Sequence, residues 1–186
     1  MRFDAVVLAG GRSSRFGGVD KAQLILDGVA MLDRVLAATA GAEQTVVVGP
    51  ERATARPVTW ATEDPPLGGP VAGIAAAVPL GTAPIVVIVS CDLPWLEAEN
   101  VEQLVTGLAE YDGFGLRDSS GRAQRLAAAY RRTALERALA ELGETRDQSV
   151  RRLFAGLALG WSGPIRAGDD VDTWADLDDH SNPGPG

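Results

Sequence analysis

The start of the chain constrains it most. An apolar run from Phe3 to Leu8 passes directly into Leu8-Ala9-Gly10-Gly11-Arg12-Ser13-Ser14-Arg15-Phe16-Gly17-Gly18-Val19-Asp20-Lys21. A short apolar stretch of this kind suits a strand buried on both faces of a parallel sheet. The fourteen residues from Leu8 to Lys21 hold four glycines, two arginines and a lysine, the composition of a phosphate cradle. Glycine lets backbone N–H groups approach an anion closely, and Arg12, Arg15 and Lys21 supply positive charge. A plain glycine-rich turn has no use for three cations. A strand ending in such a loop belongs in an open α/β sheet, where ligands bind beyond the carboxyl ends of the strands.

The chain's 186 residues suit one domain, expected over 1–180, with a flexible Gly- and Pro-rich tail over 181–186. The apolar fraction of 46% argues against disorder. A formal net charge of −8 argues against general binding to nucleic acid or anionic membranes, so the cations of the first loop read as a local site. The single cysteine, Cys91, excludes an intrachain disulfide and a cysteine-rich zinc site. No signal-peptide pattern and no bilayer-length apolar stretch is present, so a soluble cytoplasmic protein is expected.

Further along, Met31, Leu32, Val35 and Leu36 repeat at helical spacing and predict a helix over about Ala30 to Ala40 after an Asp27-Gly28 turn. Thr45 to Val48 reads as a second strand and Val58 to Trp60 as a short third. Glu63-Asp64-Pro65-Pro66-Leu67-Gly68-Gly69-Pro70 reads as a rigid loop, with Pro70 opening a helix. Its two carboxylates serve a ligand, a helix cap or plain solubility.

Pro84 to Ser90 is the most strand-like run, and Cys91-Asp92-Leu93-Pro94 stands at its carboxyl end. If that strand neighbours the first, Asp92 faces the glycine-rich loop across the crevice. It is then the best candidate ligand for magnesium, which favours carboxylate oxygen and keeps substrate phosphates among its other ligands. The alternative is a cap for a helix beginning near Glu97. No histidine lies nearby to activate Cys91, since the sole one is His180.

Gly113 to Arg117 and Gln124 to Tyr130 look like two strands joined by the Asp118-Ser119-Ser120-Gly121 turn, a break in the strand–helix alternation. Helical spacing returns over Leu135 to Leu142 and Val150 to Leu157. Arg146, Arg151 and Arg152 nearby fit either a second anion or a solvated helix face. Thr173 resembles a helix cap, with Asp176 three residues on.

Three segments together carry a resemblance: Leu8 to Lys21, Gly69-Pro70-Val71-Ala72-Gly73 and Cys91-Asp92-Leu93-Pro94. In this order they resemble the signature of the molybdenum cofactor guanylyltransferases, within the MobA-like nucleotidyltransferase group. The resemblance implies an α/β, Rossmann-like three-layer sandwich with a mostly parallel central sheet. It implies an enzyme that uses GTP and Mg2+ to attach GMP to the phosphate of molybdopterin, releasing pyrophosphate. Molybdoenzymes or other cofactor-biosynthesis proteins are then the expected partners.

Carried over by position, Leu8, Ala9, Gly10 and Gly11 would hold the nucleotide, Arg15 and Lys21 its phosphates, and Asp92 the magnesium. Arg15, Lys21 and Asp92 are thus the expected catalytic set. An acidic residue ahead of the Gly-Pro motif would contact the nucleoside; Glu63 and Asp64 both fit, with Glu63 preferred. Related cytidylyltransferases carry Ala-Ala-Gly in the first motif and Gly-Asp-Gln-Pro in the later one, so Gly10 and Cys91-Asp92-Leu93 point to GTP. On the acceptor side the chain departs from the family pattern. Its Gln-Pro-Leu stands here as Gln124-Arg125-Leu126, and its Asn-Thr-Pro-Glu-Asp-Leu as Asp172-Thr173-Trp174-Ala175-Asp176-Leu177. Phe16 stands where Met is frequent. Gln124, Arg125 and Asp172 are the acceptor candidates.

The rival readings are a nucleotidyltransferase using CTP or another phosphorylated acceptor, and a non-catalytic GTP-binding carrier. A dinucleotide-dependent oxidoreductase lacks its Gly-x-Gly-x-x-Gly here, and a P-loop needs Gly before Lys21 and Ser or Thr after it, where Asp20 and Ala22 stand.

Overall fold

The computed structural model describes residues 1–10, 20–64 and 66–171. In chain order the elements are β1 (Phe3–Leu8), β2 (Ile25–Leu26), β3 (Val29–Ala30), α1 (Met31–Ala38), β4 (Thr45–Val48), β5 (Thr59–Ala61) and α2 (Pro70–Ala77). There follow β6 (Ile85–Ser90), α3 (Ala98–Gly107), β7 (Gly113–Arg117), β8 (Ala123–Arg131), α4 (Arg132–Leu142), α5 (Val150–Leu153) and β9 (Leu159–Pro164). Among the described residues, seven strands form one sheet in the order β5-β4-β1-β6-β8-β7-β9. All run parallel except β8, which is antiparallel to both β6 and β7.

Side chains alternate across each strand and so feed two cores. Val7, Val47, Val87 and Val89 pack with Leu32, Leu36 and Leu104 of α1 and α3 on one face. Val6, Leu8, Val46 and Ile88 pack with Val71, Ile74, Leu135 and Phe154 of α2, α4 and the α5 region on the other. The result is the expected three-layer α/β sandwich with a mostly parallel sheet. β2 and β3 form a separate hairpin whose turn puts Asp27 and Gly28 at φ 51° and 80°, as a two-residue primed turn requires.

Two elements differ from the sequence expectation. The helix expected over Val150 to Leu157 stops at Leu153, because Phe154 turns inward and stacks on buried Tyr130 at 4.3 Å between ring centroids. β9 adds an edge strand that the apolar pattern does not announce: its sequence, Leu-Gly-Trp-Ser-Gly-Pro, is poor in β-branched residues. His180, Thr173, Asp176 and the expected tail lie outside the described residues, and no helix among those described is long and apolar enough to cross a membrane.

At the amino end of β1, Asp4 is buried. Its Oδ2 accepts from the Ala83 N–H at 2.8 Å and from Arg132 Nη2 at 2.7 Å, while Arg132 Nε and Nη1 donate to the carbonyls of Ala83 and Val78. One ion pair thus ties β1, the approach to β6 and the start of α4. Asp4→Ala removes the buried partner of Arg132, leaves it, among the described residues, only the half-exposed Glu136 carboxylate at 3.6 Å, and is expected to lower unfolding free energy by about 3 kcal/mol. Asp4→Ala combined with Arg132→Met is expected to lose less, with denaturant midpoints as the measure.

Candidate active site

β1 and β6 lie side by side in register, with Leu8 opposite Ser90. The ladder continues past the strand ends: the Cys91 N–H donates to Leu8 O at 3.0 Å and the Ala9 N–H to Val48 O at 2.8 Å. The exit of β1 is therefore stitched on both sides, and the residues after β1 and after β6 open onto one crevice. Gly49, which ends β4, has φ 144° and passes so close that an added Cβ would lie 2.9 Å from Ala9 O. Only glycine suits that backbone.

The crevice is a cavity of about 770 Å³ lined by Leu8, Ala9, Gly10, Lys21, Gly49, Arg52, Glu63, Cys91 and Asp92, among others. Its size suits a small organic ligand with charged groups. Lys21 Nζ lies 3.8 Å from Asp92 Oδ2 and donates to Val171 O at 2.9 Å. The Val171 N–H in turn donates to Asp92 O at 3.0 Å. The backbone of buried Val171 therefore ties the Lys21 ammonium to the main chain of Asp92.

The capping alternative for Asp92 falls away, because Glu97 caps α3 in a reciprocal pair with Asn100. Glu63 lines the cavity, whereas Asp64 is exposed outside it. Glu63 Oε2 accepts from the Gly69 N–H at 3.3 Å, and an added Cβ on Gly10 would sit 3.4 Å from Glu63 Oε1. Gly10 thus leaves the wall beside the Glu63 carboxylate bare.

Arg52 escaped the sequence reasoning. It grips Asp20 with Nε and with Nη2, the latter at 2.9 Å, and its Nη1 donates to Pro50 O at 2.9 Å. That fork joins the loop after β4 to the residue before Lys21 and neutralises the carboxylate adjoining it. No spacing rule links positions so far apart in sequence.

A second, smaller cavity of about 240 Å³ shares Ser90 and Asp92 with the first and is lined on its far side by Arg122, Gln124, Arg125 and Arg151. Asp92 therefore stands between the two. Gln124 and Arg125 come together here as expected, and Arg125 also lies over the Trp161 ring at 5.6 Å. Of the three arginines left undecided by sequence, Arg151 faces this cavity. Arg152 instead donates to Gln148 at 2.9 Å, and Arg146 pairs with Asp147 at 3.6 Å on an exposed surface. Gly11, Arg12, Arg15 and Asp172 lie outside the described residues.

Among the described residues no cluster of three or more acidic, histidine or cysteine side chains could enclose a metal. A carboxylate at a strand end such as Asp92 fits magnesium, which dehydrates reluctantly and is usually held by one or two carboxylates with substrate phosphates completing its shell.

Burial, aided by the Asp92 charge and opposed by Arg52 and Lys21, pushes the Cys91 thiol up to about 12. Its ordinary value is 9.0, so the unfolded chain loses the proton first. Stability from this group is complete below pH 9 and falls as pH rises toward about 12, by up to about 1.4 kcal/mol per pH unit. Comparing alkaline unfolding of wild type with Cys91→Ala is expected to show the steeper loss in wild type. Iodoacetamide at pH 8 is expected to label folded protein only negligibly.

Residues 5–161 match the MobA-like NTP transferase domain family. Over 190 aligned positions the chain is 28% identical to a Natronomonas pharaonis protein named probable molybdenum cofactor guanylyltransferase, covering 93% of this chain and 94% of that one. It is 38% identical over 104 residues to a Synechococcus elongatus protein of the same name, covering 52% and 53%. With that relative and with others from Burkholderia lata and Shewanella amazonensis, the match spans only about half of each length. The molybdopterin-guanine dinucleotide biosynthesis protein A of Archaeoglobus fulgidus superposes with a TM-score of 0.70 at 22% identity, covering 95% of both chains. The chain is a member of the MobA-like NTP transferase domain family.

Proposed function

We propose that this nucleotidyltransferase moves GMP from GTP to the phosphate of molybdopterin and releases pyrophosphate. One observation carries the reading: Asp92 is shared by two cavities of unequal size, with Lys21 3.8 Å from it on the wall of the larger. The larger suits a nucleoside triphosphate and the smaller, flanked by arginines in an acidic protein, suits a phosphorylated acceptor. The names of the relatives supply the base and the acceptor.

In the reaction, an acceptor phosphate oxygen forms a bond to the α-phosphorus in line with the departing group. The α–β anhydride P–O bond breaks, and its electron pair leaves on pyrophosphate. A phosphate monoester is already ionised near neutrality, so the chain needs no strong base. The barrier is the mutual repulsion of two polyanions, which positioning and fixed positive charge relieve. Lys21 holds one positive charge in the larger cavity beside Asp92, and Arg122 and Arg151 receive the acceptor's charge. Magnesium on Asp92 would supply further neutralisation of the triphosphate. Glu63, beside Gly10 in the larger cavity, would accept hydrogen bonds from the donor edge of guanine.

Lys21→Ala and Asp92→Ala are each expected to lower turnover roughly a hundredfold or more while leaving the thermal midpoint near wild type. Measuring GMP transfer at saturating GTP and magnesium checks this, and wild-type turnover in either variant removes the proposed site. For the base, GTP with magnesium is expected to protect against thermal unfolding better than CTP or ATP. Gly10→Ala is expected to narrow that preference; a protein protected best by CTP would be a cytidylyltransferase.

A further inference from the structure

In the smaller cavity, Gln124 is not free to choose its orientation. Asp118, buried at the end of β7, accepts at Oδ1 from the Ser120 N–H at 3.0 Å, the Ser120 hydroxyl at 2.6 Å and the Arg122 N–H at 2.9 Å. Its Oδ2 accepts from Gln124 Nε2 at 2.9 Å. The turn is held from outside as well, since the Ser119 N–H and hydroxyl both donate to Asp169 at 2.7 Å.

Burial alone would raise the Asp118 carboxyl. The hydrogen bonds from Ser120, Arg122 and Gln124 outweigh it and hold the group below the ordinary carboxylate range. Asp118 is therefore ionised at neutral pH and can only accept. A carboxylate that only accepts dictates which end of the neighbouring amide faces it. Gln124 lines the cavity, and with its nitrogen turned to Asp118, its carbonyl oxygen is left to accept from a ligand.

We infer that Asp118 is a positioning residue for the acceptor. It fixes Gln124 so that Oε1 receives an N–H donor on the heterocycle of the molecule whose phosphate is to be guanylylated. This rests on the two-substrate reading above and adds to it a hydrogen-bond polarity for the acceptor cavity. A pterin ring, with N–H and amino donors on one edge, has the polarity that Gln124 would accept.

Asp118→Asn tests the inference without dismantling the turn. Its oxygen can keep the three bonds from Ser120 and Arg122, but its nitrogen then faces Gln124 Nε2. Two donors cannot pair, so the glutamine amide turns over and presents a donor to the cavity. Adding Gln124→Glu restores an acceptor on both sides.

Anaerobic equilibrium binding of molybdopterin, together with KM for molybdopterin and for GTP, reads the outcome. The expected result is binding about tenfold or more weaker in Asp118→Asn, a KM for GTP within about twofold of wild type, and recovery in the double variant. Gln124→Leu, which leaves the three bonds to Oδ1 in place, is expected to share the acceptor defect and serves if Asp118→Asn does not fold. Unchanged molybdopterin binding in Asp118→Asn and Gln124→Leu, equal loss of both substrates, or no recovery in the double variant would overturn the assignment alone. A wild-type protein that GTP protects but that does not bind molybdopterin would overturn the acceptor reading, and the assignment with it.

Discussion

Everything chemical in this molecule depends on the parallel pairing of β1 with β6. The two strands are adjacent in space though far apart in sequence, and their register sets Leu8 opposite Ser90. A one-residue slip would reverse which side chains meet each core, so two fully buried faces hold the register firmly. The carbonyl of Leu8 takes the next bond from Cys91, and Val48 takes the one from Ala9. Ala9 and Gly10, which leave β1, and Asp92, which follows β6, are thereby delivered to the same cavity.

Charge is then managed locally against an acidic background. Asp20 precedes Lys21 and would weaken its field, but Arg52 occupies that carboxylate with a two-pronged grip. Asp92 stands 3.8 Å from Lys21, and Val171 joins the two through its N–H and carbonyl. At the opposite end of β1, Asp4 and Arg132 neutralise each other in the interior. The buried charges at both ends of β1 are paired, as burial demands.

Much of this was legible in the residues. Phe3–Leu8, Thr45–Val48 and Ile85–Ser90 are apolar because both their faces are covered, and that pattern is visible without coordinates. The hairpin about Asp118 and the helix opened by Pro70 follow from turn chemistry and fixed φ. Asp92 was found because strand ends in such sheets face ligands. Arg52, Asp118 and Val171 were not, because each acts through a hydrogen bond to a partner placed by tertiary folding, and Val171 acts only through its backbone. β9 was missed for another reason: it is held by its neighbour β7 and by Trp161 and Leu159 packing, while Gly160 and Gly163 hide any strand pattern. The choice between Glu63 and Asp64 needed the path of the loop, which leaves Glu63 against Gly10 and turns Asp64 outward.

The central claim is that one carboxylate shared by two cavities, with a lysine beside it in the larger, serves two substrates. Its most direct test is a single incubation of the protein with GTP, magnesium and molybdopterin, with pyrophosphate and the guanylylated pterin both quantified. Equal amounts of the two products, formed only when both substrates are present, are the predicted result. GTP bound tightly with neither product formed would contradict the account and leave a nucleotide-binding carrier in its place.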